Sequence, residues 1–175
     1  MSAVIVIRPA TSADIKDITA IYAHAVECGT ASFEVEPPSI AEMTKRQKAL
    51  LDGGFPYLVA DADGTVAGYA YAGPYRPRIA YRHTVEDSVY VNPTLTRHGV
   101  GRLLLTALIA EAETCGFRQM VAVIGDSQQT ASIALHRSLG FSPVGTLMNI
   151  GFKHGRWLDS VLMQRPLGIG ANAPP

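Results

Sequence analysis

The sequence predicts one domain of the α/β (α+β) class, built on an open, twisted, mostly antiparallel mixed sheet of about seven strands with about four flanking helices. Apolar residues repeat with period two in some segments and with helical spacing in others, in the order β-α-α-β-β-β-α-β-α-β-β. A length of 175 residues is typical of a single domain. We expect this domain to span residues 1–168 and to end in a flexible tail at residues 169–175.

The first half of the chain contains a strand, two helices and a hairpin. The run VIVIRP is the first strand, which stops at Pro9 because proline lacks a backbone donor. We expect Ser12 to cap a helix that ends near Gly29, and Ser39 to open a second helix. Two strand-like runs surround the dipeptide Asp63-Gly64, which tolerates the positive φ of a tight turn. Strands two and three are therefore predicted to be antiparallel.

The second half adds a β-α-β-α run and a final hairpin. The segment TVEDSVYVNP is strand four, ended by Pro93. A helix from Val100 to Cys115 stops at Gly116, QMVAVI follows as strand five, and TASIALHRSLGF is the fourth helix. The last two strands turn about His154-Gly155.

Composition limits the kinds of partner. Fifteen Lys plus Arg residues balance fifteen Asp plus Glu residues, so no overall field holds a polyanion and we expect no nucleic-acid partner. The early apolar run at residues 3–7 is far shorter than the ~20 residues of a membrane span, which predicts a cytoplasmic protein without a membrane partner. Cys28 and Cys115 lack metal-ligand spacing, so we expect reduced, buried thiols and no metal site, and the alternative is that either thiol is reactive.

Two glycines one residue apart, Gly99 and Gly101, stand between strand four and the third helix. The first turn of a helix presents unpaired N–H groups and a partial positive charge, and residues without Cβ let an anion approach that backbone. Arg97, His98 and Arg102 add charge for further phosphate oxygens. The pattern predicts a pyrophosphate site, and the alternative is that the glycines only shape a tight turn.

Two other phosphate-binding loops do not fit this segment. A Walker loop needs Lys followed by Ser or Thr after its last glycine, whereas Arg102 and Leu103 follow Gly101. A dinucleotide fingerprint needs a third glycine and an acidic residue at the end of the next strand, whereas this strand ends at Ile124 and Gly125.

The segment VYVNPTLTRHGVGRLLL resembles motif A of the Gcn5-related N-acetyltransferase (GNAT) superfamily, and SIALHRSLGF resembles its motif B. The likeness covers residues 3–166. Within the superfamily, TASFEVEPPS, GPYRPR, TVEDSVYV, VAVIGDS and GFKHGRW are together similar to the phosphinothricin and methionine sulfoximine N-acetyltransferases. The resemblance implies the GNAT fold, acetyl-CoA as co-substrate, the α-amino group of a small amino acid analogue as acceptor, and a homodimer.

The resemblance also assigns residues to acetyl-CoA. It implies that strands four and five splay apart, so that backbone groups of residues 89–91 bond the pantetheine arm and an N–H there stabilises a developing oxyanion. Two positions depart from the superfamily: Thr96, where Gln or Arg is usual, and Gln129, where motif B usually has Asn. The predicted cofactor-binding residues are Val89, Tyr90, Val91, Arg97, His98, Gly99, Val100, Gly101, Arg102, Gln129 and Ser132.

Attack on a thioester needs an unprotonated amine, so the site needs a group that removes a proton, directly or through one water. We expect Glu86 to be this base, because it alternates with Ser88 and Tyr90 along strand four and matches the glutamate of the resembled subfamily. The alternative is a solvated carboxylate. His136 stands where the subfamily has histidine, and it is either the acid that protonates the departing thiolate or a packed core residue.

Arginines before strand four suit a carboxylate or phosphinate on the acceptor, because a guanidinium group bonds such anions through two parallel hydrogen bonds. They are otherwise solvated loop residues. Phe33 either forms an apolar wall for the acceptor or packs in the core. Asp87 either contacts the acceptor or has a structural role. The predicted acceptor-binding residues are Phe33, Arg76, Pro77, Arg78, Glu86, Asp87 and Ser88.

Two other functions stay open at this point. One is acetyl transfer to a different amine, such as a protein N-terminus, a lysine, a polyamine or an aminoglycoside, although the neutral net charge disfavours strongly cationic acceptors. The other is a coenzyme A sensor without turnover. Glu86 and His136 together argue against the sensor, because a pure binder needs neither a base nor an acid.

Overall fold

The computed structural model describes residues 4–95 and 98–175, so the predictions for Thr96 and Arg97 lie outside the described residues. Within these ranges seven strands and four helices follow the predicted order. They are β1 (Ile5–Pro9), α1 (Ile15–Cys28), α2 (Ile40–Asp52), β2 (Tyr57–Ala62), β3 (Thr65–Pro74), β4 (Thr84–Val91), α3 (Val100–Thr114), β5 (Gln119–Gly125), α4 (Thr130–Ser138), β6 (Ser142–Lys153) and β7 (Arg156–Pro166). Short 3-10 turns lie at Ser12–Asp14, Ile79–Tyr81 and Pro93–Leu95.

The described strands form one sheet in the order β1-β2-β3-β4-β5-β7-β6. β4 and β5 run parallel, and each other neighbouring pair of described strands is antiparallel. This is the mixed, mostly antiparallel sheet that the sequence predicts, and the predicted fold class is confirmed.

The parallel pair separates along its length. Its ladder runs from Thr84 opposite Gln119 to Asp87 opposite Ala122, while β4 continues to Val91. We call the opening between residues 88–91 of β4 and residues 123–125 of β5 the β4–β5 fork. It leaves backbone groups of two strand ends facing a groove instead of each other.

Helices cover both faces of the sheet and bury a core on each. On the α3 and α4 face the core includes Leu104 and Leu108, together with Val85 of β4. On the α1 and α2 face it includes Ile18 and Tyr69. Each fully buried side chain of this size stabilises the fold by about 1.5–3 kcal/mol. Residues of β4 alternate between these two cores, with Val85 in the core under α3 and α4 and Tyr90 packed against the core under α1 and α2.

Two tight turns and one helix start depend on positive φ angles. Asp63 and Gly64 have φ of 52° and 87°, and His154 and Gly155 have φ of 50° and 73°, as a two-residue hairpin turn requires. Gly99 precedes α3 with φ of 77°, a left-handed conformation that side chains rarely adopt. Both predicted hairpins are confirmed.

The predicted cap of the first helix is wrong. Ser12 lies inside the 3-10 turn, and α1 begins at Ile15. The extended residue Thr11 precedes the turn, and its N–H donates to the Asp14 carboxylate over 2.7 Å. Asp14 also accepts from the Arg8 guanidinium on β1 at 2.7 Å, which lowers the pKa of Asp14 to about 2. The carboxylate thus joins the turn to the first strand, which a cap at Ser12 would not do.

The prediction of buried cysteines is also wrong. Cys28 and Cys115 are both exposed free thiols. Cys28 is the last residue of α1, and Cys115 follows the last turn of α3, so each lies where its helix ends at the surface. Apolar spacing alone does not distinguish such an end position from a core position.

Candidate active site

Glu86 lies on the next-to-last rung of the β4–β5 ladder, opposite Val121, and is half-buried on the α1 and α2 face of the sheet. Burial raises the pKa of Glu86, the neighbouring charge of Asp87 raises it further, and the positive charge of Arg76 opposes both effects. A carboxylate with a raised pKa and one side open to solvent is suited to accepting a proton near neutral pH.

The face around Glu86 is rich in tyrosine. Tyr71 lies opposite Ser88 across the β3–β4 pairing. Burial raises the pKa of Tyr71, and the charge of Glu86 raises it further. Tyr90 packs edge-on against Tyr22, with ring centroids 5.1 Å apart. Tyr71 was not among the residues predicted from the sequence, although the alternating tyrosines of β3 were a signal once the pairing with β4 was known.

The fork opens into a groove that brings together residues predicted for the cofactor and for catalysis. Gln129 and Ser132, near the start of α4, line the groove from the α3 and α4 face of the sheet. The strands contribute both walls, and the α1–α2 connection contributes Ala31. The described residues that line it are Ala31, Asp87, Ser88, Val89, Tyr90, Ala122, Val123, Ile124, Gly125, Gln129, Ser132 and His136. Val91 follows as the last, half-buried residue of β4.

The start of α3 is open at its glycines. Among the described residues, a Cβ on Gly101 would meet Leu135 at 3.4 Å and Val91 at 3.6 Å, which are ordinary contacts. His98 and Gly99 are exposed. The first-turn N–H groups are therefore accessible to an anion. Two side chains have other roles, because Val100 is buried in the core and Arg102 donates to the Ser138 hydroxyl over 2.8 Å.

His136 is a buried residue with both ring nitrogens in contact with protein oxygens. Its Nε2 lies 3.0 Å from the Asp87 carboxylate, and its Nδ1 lies 2.7 Å from the Ser132 carbonyl oxygen. Phe141 packs edge-on against the ring. Of the two predicted alternatives for His136, this geometry favours the packed, hydrogen-bonded residue, and it gives Asp87 a structural partner on the α3 and α4 face of β4.

Gln129 lines the groove, but its side-chain amide donates to the Thr30 hydroxyl over 3.0 Å. That bond joins the start of α4 to the segment between α1 and α2. Thr30 was not predicted from the sequence, because a partner 99 positions away along the chain leaves no local spacing signal.

The predicted acceptor residues divide into two groups. Arg76 lies near enough to Glu86 to affect its pKa, and its guanidinium carbon lies 4.9 Å from the centre of the Tyr75 ring. Pro77 and Arg78 are exposed and line a neighbouring surface groove with Ile79 and Tyr81. Phe33 keeps 40% of its surface exposed, and its ring lies against Gly125 and Gly151.

No helix in residues 4–95 and 98–175 combines the length and apolar character needed to cross a membrane. No group of three or more His, Cys, Asp or Glu side chains in the same ranges is placed to hold a metal ion.

Comparisons with known proteins agree with this architecture. The Acetyltransferase (GNAT) domain family matches residues 7–162. A phosphinothricin N-acetyltransferase of Alcaligenes faecalis is 54% identical over 97% of this chain and 86% of its own length. An L-methionine sulfoximine/L-methionine sulfone acetyltransferase of Salmonella typhimurium is 44% identical over 92% of this chain and 94% of its own.

A solved structure extends the agreement to the fold. The phosphinothricin acetyltransferase of Sinorhizobium meliloti, crystallised with acetyl-CoA, superposes with a TM-score of 0.95 at 48% identity, covering all of this chain and 94% of that one. The predicted family is confirmed at the level of sequence and of fold. The chain belongs to the GNAT family of acetyltransferases.

Proposed function

We propose that this chain transfers the acetyl group of acetyl-CoA to the α-amino group of a small amino acid analogue, with Glu86 as general base. The observation that carries the proposal is the position of Glu86, half-buried and one rung from the point where β4 and β5 separate. The relatives named for phosphinothricin, methionine sulfoximine and methionine sulfone support that class of acceptor.

Acetyl-CoA supplies an activated acyl carbon as a thioester. The accessible N–H groups at the start of α3 are suited to its diphosphate, because a helix N-terminus favours negative charge. Residues 89–91 pair with β3 but have no ladder with β5, so their backbone groups on the β5 side are suited to the amide-bearing arm, in the manner of an added strand. An N–H at Tyr90 or Val91 would stabilise the charge that develops on the carbonyl oxygen.

The amine reaches the thioester from the Glu86 face. Glu86 takes a proton from the ammonium group, directly or through one water, and the free nitrogen forms a bond to the acyl carbon as the carbon–sulfur bond breaks. The nitrogen then loses its second proton to solvent, and the departing sulfur takes one from solvent. Arg76 beside Glu86 is suited to the acceptor's carboxylate or phosphinate.

Release of free thiol from acetyl-CoA, followed with a colorimetric reagent across a panel of amines, tests the proposal. We expect phosphinothricin, methionine sulfoximine and methionine sulfone to give thiol at rates well above those for lysine, spermidine, an aminoglycoside or N-terminal peptides. Release with peptides alone would move the assignment to protein acetylation. Binding of acetyl-CoA without release for every amine would make the chain a sensor.

We also propose that the chain forms a homodimer through the outer face and edge of β6. This strand lies at the end of the sheet, and large apolar side chains on it and beside it are exposed. The set comprises Val144, Leu147, Met148, Ile150, Phe152 and Trp157. A long apolar edge strand without a cover favours association, and a second copy of the same patch is its simplest complement.

A further inference from the structure

Asp126 stands directly after β5 and connects several elements at the open end of the fork. It is buried and adopts φ of 75°, a left-handed conformation that Asp and Asn tolerate better than most residues. Its carboxylate accepts hydrogen bonds from the Thr30 hydroxyl at 3.0 Å, from the Gln128 N–H at 3.0 Å and from the Arg156 guanidinium. Burial acts to raise the pKa of Asp126, but these three donors outweigh it and lower the pKa.

Thr30 links Asp126 to Gln129, a residue that lines the fork groove. Its hydroxyl donates to Asp126 and accepts from the side-chain amide of Gln129, so one hydroxyl uses both of its roles. The backbone of the same segment lies against the end of β5, because a Cβ on Gly125 would stand 2.5 Å from the Thr30 carbonyl oxygen. The neighbouring Ala31 lines the fork groove.

The rest of the segment is held by the β6–β7 hairpin. The buried Lys153 ammonium donates to the Ser32 carbonyl oxygen over 2.8 Å, and His154 Nε2 lies 3.1 Å from the Gly29 carbonyl oxygen. The Phe33 ring then rests on Gly125 and Gly151. We call residues 29–34 the wall segment, since Ala31 lines the fork groove while Ser32 and Glu34 hydrogen-bond Tyr22 on the α1 and α2 face of the sheet.

We propose that Asp126 is a positioning residue, which holds the wall segment, and with it Phe33, against the end of β5 and so shapes the acceptor side of the site. This inference rests on the proposed function. The start of α3, where the diphosphate is proposed to bind, belongs to a different element. Ala31 is the one residue of the wall segment among the described lining of the fork groove, so we expect loosening of the segment to weaken acceptor binding more than acetyl-CoA binding.

The test compares two isosteric variants with a matched control. Asp126→Asn removes the charge and keeps the shape and the tolerance of positive φ, and Thr30→Val removes the hydroxyl that links Asp126 to Gln129. Asp159→Asn is the control, because this carboxylate lies at the same end of the sheet and accepts from Ser127 at 2.7 Å and from the Asn149 N–H at 3.0 Å. Steady-state kinetics with methionine sulfoximine and acetyl-CoA are measured for all three variants.

We expect Asp126→Asn to raise the KM for the acceptor about 10- to 100-fold, as loss of a charged hydrogen bond predicts, while kcat and the Kd for acetyl-CoA stay within about twofold. Thr30→Val shifts the same KM, and the double variant loses less than the product of the two single effects because both act through one bond. Asp159→Asn leaves the acceptor KM unchanged.

An unchanged acceptor KM in both wall variants would overturn the inference, as would an equal rise in Asp159→Asn. Thr30→Val keeps the test valid where Asp126→Asn fails to fold, since it removes one hydroxyl and retains volume. A failure of the proposed function is distinguishable, because the unaltered enzyme would then release no thiol with any amino acid analogue.

Discussion

His136 Nε2 lies 3.0 Å from Asp87 Oδ2, while its Nδ1 lies 2.7 Å from the Ser132 carbonyl oxygen, so both ring nitrogens face hydrogen-bond acceptors. The side chains of His136 and Asp87 are 5% and 2% exposed. A carbonyl can only accept, so Nδ1 carries a proton, and the Asp87 carboxylate favours a second proton on Nε2. The pair ties α4 to the last rung of the β4–β5 ladder, next to the fork.

The stability that His136 contributes is expected to fall at alkaline pH. Burial acts to lower the pKa of His136, but its bond to Asp87, the charge of Asp87 and the Ser132 carbonyl outweigh burial, and the net shift of the pKa is upward. A histidine with a raised folded-state pKa contributes fully below its unfolded pKa of about 6.5, and the contribution is lost as pH rises through the folded-state value.

Urea unfolding of the parent and of His136→Gln across pH 5.5 to 9 measures this effect. We expect the difference in the free energy of unfolding between the two proteins to be largest at low pH and to shrink as pH rises. Asp87→Asn should remove the same pH dependence, because the carboxylate is its cause. Parallel curves for parent and His136→Gln would contradict the assignment.

Glu86→Gln is expected to lower kcat by about 10²- to 10⁴-fold, because the amide cannot accept the amine's proton. The Kd for acetyl-CoA, measured by titration calorimetry, should not change. Glu111→Gln, on the exposed surface of α3, serves as the control for loss of a carboxylate and should retain normal turnover. Normal turnover in Glu86→Gln would exclude this residue as the base.

Arg76 is expected to control the acidic limb of the pH profile. The positive charge of Arg76 lowers the pKa of Glu86 against the upward effects of burial and Asp87. Arg76→Gln should therefore move the acidic limb of kcat/KM, which reports the free enzyme, to higher pH. Arg78→Gln, in the same loop, should leave the limb in place. A shift to lower pH in Arg76→Gln would reverse the assigned sign.

Substitutions at Gly99 and Gly101 should show whether these glycines form a phosphate-binding site or only shape a tight turn. Gly101→Ala fits the fold, so we expect a free energy of unfolding unchanged or raised by up to about 1 kcal/mol, with the Kd for acetyl-CoA raised at least about tenfold. Gly99→Ala should destabilise the fold by ~1–2 kcal/mol, because its φ is 77°. Thermal denaturation and calorimetry measure both, and unaltered acetyl-CoA binding in Gly101→Ala would show that the glycine serves the turn alone.

A charge on the β6 face should prevent self-association. Ile150→Glu places a carboxylate in the proposed dimer contact, where burial without a partner is unfavourable, and we expect a monomer by light scattering after size exclusion. Leu51→Glu, on an equally exposed apolar position of α2, is the control and should leave a dimer. A monomeric parent protein, or a dimer that survives Ile150→Glu, would refute the proposed interface.

Local patterns in the sequence were sufficient for the order of elements, both two-residue hairpins and the opposite faces of Glu86 and Asp87. These features follow from short-range rules, namely the period of a strand, the φ tolerance of glycine and aspartate, and the donors that a helix start leaves free. The first cap was predicted wrongly because Ser12 and Thr11 are both capping residue types, and it is Thr11 that bonds Asp14, which also pairs with Arg8 of β1.

The sequence by itself therefore determined the fold class, the family and the glycine-marked start of α3. Only the tertiary structure decided where β4 and β5 part, that His136 pairs with Asp87 49 positions away, and that Thr30 meets Asp126 across 96 positions. The physical reason is that such contacts form between side chains of different layers. Their partners are chosen by how the sheet and helices pack, and no periodicity along the chain encodes that choice.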